Sequence, residues 1–129
     1  METDDAIDRE LAALEQGMLD LANFPHREHL RLAFHMLSRH AFSEAASRFS
    51  AALKLLTAKV GKPEVYHETM TVAYLAIIAE RKARGGSSTW DEFIAANADL
   101  LEKDCLSRWY SAEELQSEIA RTTFVLPRR

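Results

Sequence analysis

The chain has 129 residues, 47% of them hydrophobic and 28% charged, with a net charge of −4; this is the size and apolar content of one ordinary domain with its own core. Acidic and basic residues are interspersed, so the composition carries no basic footprint for nucleic acid or an anionic membrane, and the single Cys105 cannot close an internal disulfide, which fits a reducing, cytoplasmic setting. The acidic opening Met1-Glu2-Thr3-Asp4-Asp5 reads unlike a signal peptide, and the longest apolar run, Val72 to Ala79, is far shorter than the ~20 residues a membrane span needs.

Thr3 is placed to cap a first helix from Asp4 to about Asn23, with Ile7, Leu11, Leu14, Met18 and Leu21 recurring at helical spacing and Phe24-Pro25 ending it. A second helix is expected from about His26 to His40, with Leu30, Ala33, Phe34, Met36 and Leu37 on an apolar side and Arg27, Arg31, His35, Ser38 and Arg39 on a wet one. The third runs from Ser43 to about Val60, with Gly61 as the residue that turns the chain out of it. The fourth, about 64–83, carries apolar side chains in every direction from Tyr66 to Ala79 and reads as a central helix enclosed by its neighbours. It stops at Gly85-Gly86-Ser87-Ser88, a flexible linker. Thr89-Trp90-Asp91-Glu92 and Ser111-Ala112-Glu113-Glu114 have the form of capping boxes; they open a short helix to about Ala96 and a last helix toward Arg121, with another short helical stretch over Asp99 to Cys105 between them. Residues 122–129 form an extended tail. The chain is therefore expected to be a single all-α domain, a bundle of five to seven helices.

The polar cluster Tyr66-His67-Glu68-Thr69-Met70-Thr71 stands at the start of that enclosed helix. An uncompensated buried ion costs several kcal/mol, so His67 and Glu68 need a hydrogen bond, a charge partner, a metal or a neutral state. The helical wheel also turns His29 inward, in the apolar arc of the second helix and flanked by His26 and Ala33. Three readings follow: a structural hydrogen-bond network, a small-molecule pocket, or a divalent metal held by His26, His29 and His67. In the pocket reading, Glu68 and His67 are the candidate proton carriers, Glu68 because desolvation would raise its pKa, while His29, Thr71, Tyr74 and Arg121 line the ligand site. Arg81 and Arg121 are the candidate charge partners of Glu68. Thr69 is expected to bond back to a carbonyl one turn earlier, and Thr71 to continue a polar line from His67 to Tyr74.

Phe24-Pro25-His26-Arg27-Glu28-His29-Leu30-Arg31-Leu32-Ala33, Tyr66-His67-Glu68-Thr69, Asn97-Ala98-Asp99-Leu100-Leu101, Tyr110-Ser111 and Ala120-Arg121 followed by Phe124-Val125-Leu126-Pro127 together resemble a family of small bacterial helical proteins. The resemblance covers about residues 24–127. It implies a shared helical fold and a shared interior His/Glu arrangement, and brings no activity with it. Where that pattern leads one to expect an acidic residue after the proline, this chain has Arg128-Arg129.

Two functions are consistent with these residues. One is a cytoplasmic protein with an interior His/Glu site that binds a small molecule or a divalent metal; the other is a helical interaction module in which the cluster only fixes packing. Homo-oligomerisation fits either, because the apolar arcs of the first and third helices are wide enough for an interface as well as a core.

Overall fold

The threonine hydroxyl of Thr3 accepts a hydrogen bond from the Ala6 N–H at 3.1 Å and starts α1 (Asp4–Glu15), as the sequence leads one to expect. In the computed structural model, which describes residues 2–128, α1 is followed by α2 (His26–Arg39), α3 (Phe42–Lys59), α4 (Glu68–Gly85), α5 (Trp90–Ala96), α6 (Ala112–Leu115) and α7 (Glu118–Thr122). Short 3-10 turns cover Leu21–Asn23, Pro63–Val65, Ala98–Leu101 and Cys105–Arg108, and the described residues contain no strand. The fold is all-α. Its helices pack as two compact units, one ending at Tyr66 and the other beginning at His67. No helix among the described residues is long and apolar enough to cross a membrane.

In the first unit, α1, α2 and α3 pack pairwise on one another. Ile7, Leu11 and Leu14 form the buried stripe of α1. The helix stops well before Asn23 because Gly17 takes a positive φ of 69°, and Met18 N–H reaches back to the Ala13 carbonyl at 2.8 Å. No other residue fits there easily: a Cβ on Gly17 would lie 2.9 Å from a methyl carbon of Leu55 on α3. Lys59 Nζ then donates to the Gly17 carbonyl at 2.6 Å, tying the last turn of α3 to the end of α1. Gly61, at φ 75°, ends α3 as expected, with Lys62 N–H returning to the Thr57 carbonyl.

The expected wet side of α2 is overturned at two positions. Leu30 to Met36 are seven consecutive buried residues, so Arg31 and His35 are interior. Acidic residues from α1 and the segment before it cover them. Arg31 meets Glu28 Oε1 at 2.8 Å, Glu2 Oε1 at 2.6 Å and Glu10, while His35 Nε2 lies 2.8 Å from Glu2 Oε2. Burial alone disfavours the charge on Glu2, but hydrogen bonds from Arg31 and His35 outweigh it and hold this carboxyl below its usual range. Burial also keeps His35 below the ordinary histidine value despite the Glu2 contact, so His35 donates its N–H as a neutral ring.

In the second unit, Ala73, Leu106 and Tyr110 form a buried cluster on which Met70, Tyr74, Ile77, Trp109 and Leu115 pack. Between Glu68 and Ala79 only Ala76 is exposed, which agrees with a largely enclosed helix. Its start is shifted, however: Pro63–Val65 forms a separate turn, and α4 begins at Glu68. Thr89 caps α5 as expected, accepting from Glu92 N–H at 3.2 Å. The helix expected from Ser111 to Arg121 is broken instead, because Ser117 accepts from Ala120 N–H and starts α7 afresh.

Candidate functional site

His67 is the N-cap of α4, outside the helix rather than within it. Its Nδ1 accepts the Met70 N–H at 3.1 Å, so the ring proton resides on Nε2, which donates to the Leu115 carbonyl at 2.7 Å. Both ring nitrogens are thus used in joining the first turn of α4 to the end of α6. To serve as a metal ligand or proton carrier, His67 would have to give up one of these bonds; the geometry gives it the role of a cap and clamp, the structural reading of the cluster.

Of the two threonines it is Thr71, not Thr69, that bonds back to the helix. Thr71 Oγ1 bonds back to the His67 carbonyl at 2.7 Å, the bond expected of Thr69. Thr69, fully buried, donates instead to the Thr123 carbonyl at 2.8 Å and accepts the Val125 N–H at 3.0 Å, clasping the C-terminal tail. Tyr110 completes the clasp by donating its hydroxyl proton to the Val125 carbonyl at 2.7 Å. Sequence reading had no means of finding this use of Thr69, since the partners are backbone groups more than fifty positions away.

Glu68 occupies the first turn of α4 and is half-buried. Arg81, offered as its partner, is engaged elsewhere: its guanidinium grips Asp99 at 2.7 and 3.1 Å and touches Asn97 Oδ1 at 3.3 Å. The hydrogen bond from Arg81 holds Asp99 below the usual carboxylate range against the opposing effect of its burial. Arg121 makes a fork contact with Glu118 one turn earlier, at 2.5 to 3.0 Å. Tyr74 is half-buried on the Ala73–Leu106–Tyr110 cluster; burial, with smaller contributions from Cys105 and Asp104, pushes its hydroxyl up to about 12. Burial likewise raises the Cys105 thiol, which leaves it a poor nucleophile.

His29 differs from all of these. It sits in the first turn of α2, its ring centroid 4.1 Å from that of Phe24 at an interplanar angle of 50°. Its Nε2 is buried and has no hydrogen-bond partner. A hydrogen bond to the Phe24 backbone therefore belongs to Nδ1, which must hold the proton, and Nε2 presents an unshared electron pair to the interior. Burial, reinforced by the nearby His26, lowers the His29 pKa to about 4. The neutral ring at physiological pH is the form that accepts a proton donor or ligates a transition metal.

Among the described residues no group of three or more His, Cys, Asp or Glu side chains is arranged to hold a metal ion, so the three-histidine metal site is not assembled from this chain's ligands alone. A cleft of about 330 Å³ opens between the Gly17–Leu21 segment and the end of α3, lined by Met18, Leu21, Leu56, Lys59 and Val60. None of the candidate catalytic, ligand-binding or metal residues expected from the sequence lines it. No protein-family model, curated protein or solved structure matches the chain.

Proposed function

We propose that this protein binds a small ligand through His29, the ligand supplying an acceptor for the Nε2 electron pair: an N–H or O–H group of a small molecule, or a divalent transition metal brought with other ligands of its own. One observation carries the reading, the buried Nε2 without a partner. An unmatched buried acceptor costs about 1–3 kcal/mol, and such atoms in native proteins are commonly explained by a ligand, an ordered water or a catalytic role. The Phe24 ring tilted against it and the bond to the Phe24 backbone fix the imidazole in the state that leaves Nε2 available.

Thermal melts and calorimetric titrations with Zn²⁺ and with phenol, amide and imidazolium fragments test this. Uptake by the native protein that disappears in a folded His29→Phe variant is expected. Binding that His29→Phe leaves unchanged would assign the site elsewhere.

The second reading, an interaction module acting through its surface, is favoured by the full engagement of His67 in capping and clamping. It requires that His67→Ala lower stability without altering partner binding, while surface substitutions do the reverse.

A further inference from the structure

The cleft between the Gly17–Leu21 segment and the end of α3 has no part in the reading of His29. Its volume, about 330 Å³, lies at the small end of the range for small-molecule pockets. Met18, Leu19, Leu21, Leu56 and Val60 give it an aliphatic lining that contains no aromatic ring. Met18 is 69% exposed and Val60 50%, so apolar side chains stand in water around a concavity, and a hydrocarbon laid over them gains by removing that surface from solvent. The unbranched Met18 side chain can adapt to such a guest.

One cation belongs to this wall. The Lys59 ammonium has three protons, of which one goes to the Gly17 carbonyl at 2.6 Å, and it forms no ion pair among the described residues. Gly17 makes that placement possible: a Cβ there would lie 3.1 Å from Lys59 Cδ, so the glycine lets the lysine stem cross the backbone and bring its head to the cleft. Asp20, the acidic residue of the lining, has both oxygens in use, Oδ1 accepting the Ala22 N–H and Oδ2 the Asn23 side-chain amide, each at 3.0 Å. Because α1 and α3 both end here, their last carbonyls would by themselves favour a cation. The chain answers those carbonyls with its own N–H groups: Gly17 and Met18 return to Leu14 and Ala13, and Gly61 and Lys62 to Ala58 and Thr57. The uncommitted charge at the cleft is therefore the positive one of Lys59.

We propose that this cleft binds an aliphatic carboxylate of medium chain length, with the carboxylate on the Lys59 ammonium and the hydrocarbon chain over Met18, Leu56 and Val60. A single ammonium matches a single negative charge, and the lining offers no second cation for a phosphate dianion. A carboxylate ion has no proton to give His29 Nε2, so this ligand is distinct from the one that His29 accepts.

Calorimetric titration of the full chain with hexanoate, octanoate and 1-octanol at neutral pH tests this, beside the variants Lys59→Met, which keeps the apolar stem and removes the charge, and Val60→Glu, which puts a negative charge on the cleft and leaves the Lys59–Gly17 bond in place. Saturable uptake is expected, about tenfold tighter for octanoate than for hexanoate at roughly fourfold per buried methylene. Octanol should bind the native chain at least tenfold more weakly than octanoate, and each variant should weaken octanoate at least tenfold. Methyl resonances of Met18, Leu56 and Val60 should move as octanoate is added. The proposal is overturned if octanoate is not taken up, if octanol binds as tightly as octanoate, if either variant leaves octanoate binding intact, or if the shifted methyl groups lie away from the cleft.

Discussion

Acidification should destabilise this protein through His29 before the carboxylates titrate. In the unfolded chain His29 takes the ordinary value of 6.5; in the fold burial lowers it to about 4. Between these values the unfolded state binds more protons than the native state, so stability is fully present above pH 6.5 and is lost as pH falls toward 4. Proton linkage with these two constants gives a loss of about 2 kcal/mol between pH 7 and pH 5, tending to roughly 3 kcal/mol below pH 4. His35, also lowered by burial, contributes in the same direction. The measurement is urea unfolding of the native chain and of His29→Phe at several pH values, and the informative quantity is the difference between the two curves. Because Phe does not titrate and keeps an aromatic ring against Phe24, the difference should narrow or reverse by about 2 kcal/mol on going from pH 7 to pH 5. Parallel curves would show that the imidazole is solvated or paired in the native state and would refute the reasoning about Nε2.

Thr69→Val should cost about 1–3 kcal/mol, because it leaves the buried Val125 N–H unmatched and removes the partner of the part-buried Thr123 carbonyl; faster hydrogen exchange of the Val125 amide and easier proteolysis of the tail would accompany the loss. His67→Ala removes a helix cap and orphans the Leu115 carbonyl, and chemical denaturation should register a loss of about 1–3 kcal/mol. Arg31→Met leaves Glu2, Glu10 and Glu28 without their shared cation. Since those carboxylates keep a third or more of their side-chain exposure and can turn to water, the cost at pH 7 should be only about 1–2 kcal/mol, and it should shrink at acidic pH as Glu2, which Arg31 helps hold below the usual carboxylate range, takes up its proton. An unchanged pH dependence of unfolding in Arg31→Met would argue against that cluster.

The all-α class and most helix boundaries were legible because they rest on local signals: Thr3 and Thr89 cap where their spacing predicts, and Gly61 turns the chain out of α3. Boundaries failed where a tertiary partner decided them. The end of α1 is set by Gly17 against Leu55, a close approach that apolar periodicity through Met18 and Leu21 does not register. A helical wheel sorts residues by polarity, so it put Arg31 and His35 in water; it has no knowledge that Glu2 and Glu10 arrive from elsewhere in the chain to cover them. In hindsight the signal was the excess of acidic residues across Glu2 to Glu10 beside an Arg-rich helix. The same limitation favoured Thr69 over Thr71 for the bond back to the helix; the two hydroxyls look alike in sequence and differ in what lies opposite. His67 read as buried within a helix, whereas the break after Pro63–Val65 makes it a cap. The inward placement of the His29 ring, expected from its neighbours in the apolar arc, agrees with its buried Nε2.

The most direct test of His29 as the binding residue is nitrogen NMR of the histidine rings near pH 6, where an ordinary histidine is largely protonated. The expected spectrum shows His29 neutral, with its proton on Nδ1 and an Nε2 resonance that moves when Zn²⁺ or a proton-donating fragment is added. A His29 ring that is protonated on both nitrogens at that pH, or whose proton resides on Nε2, would contradict it.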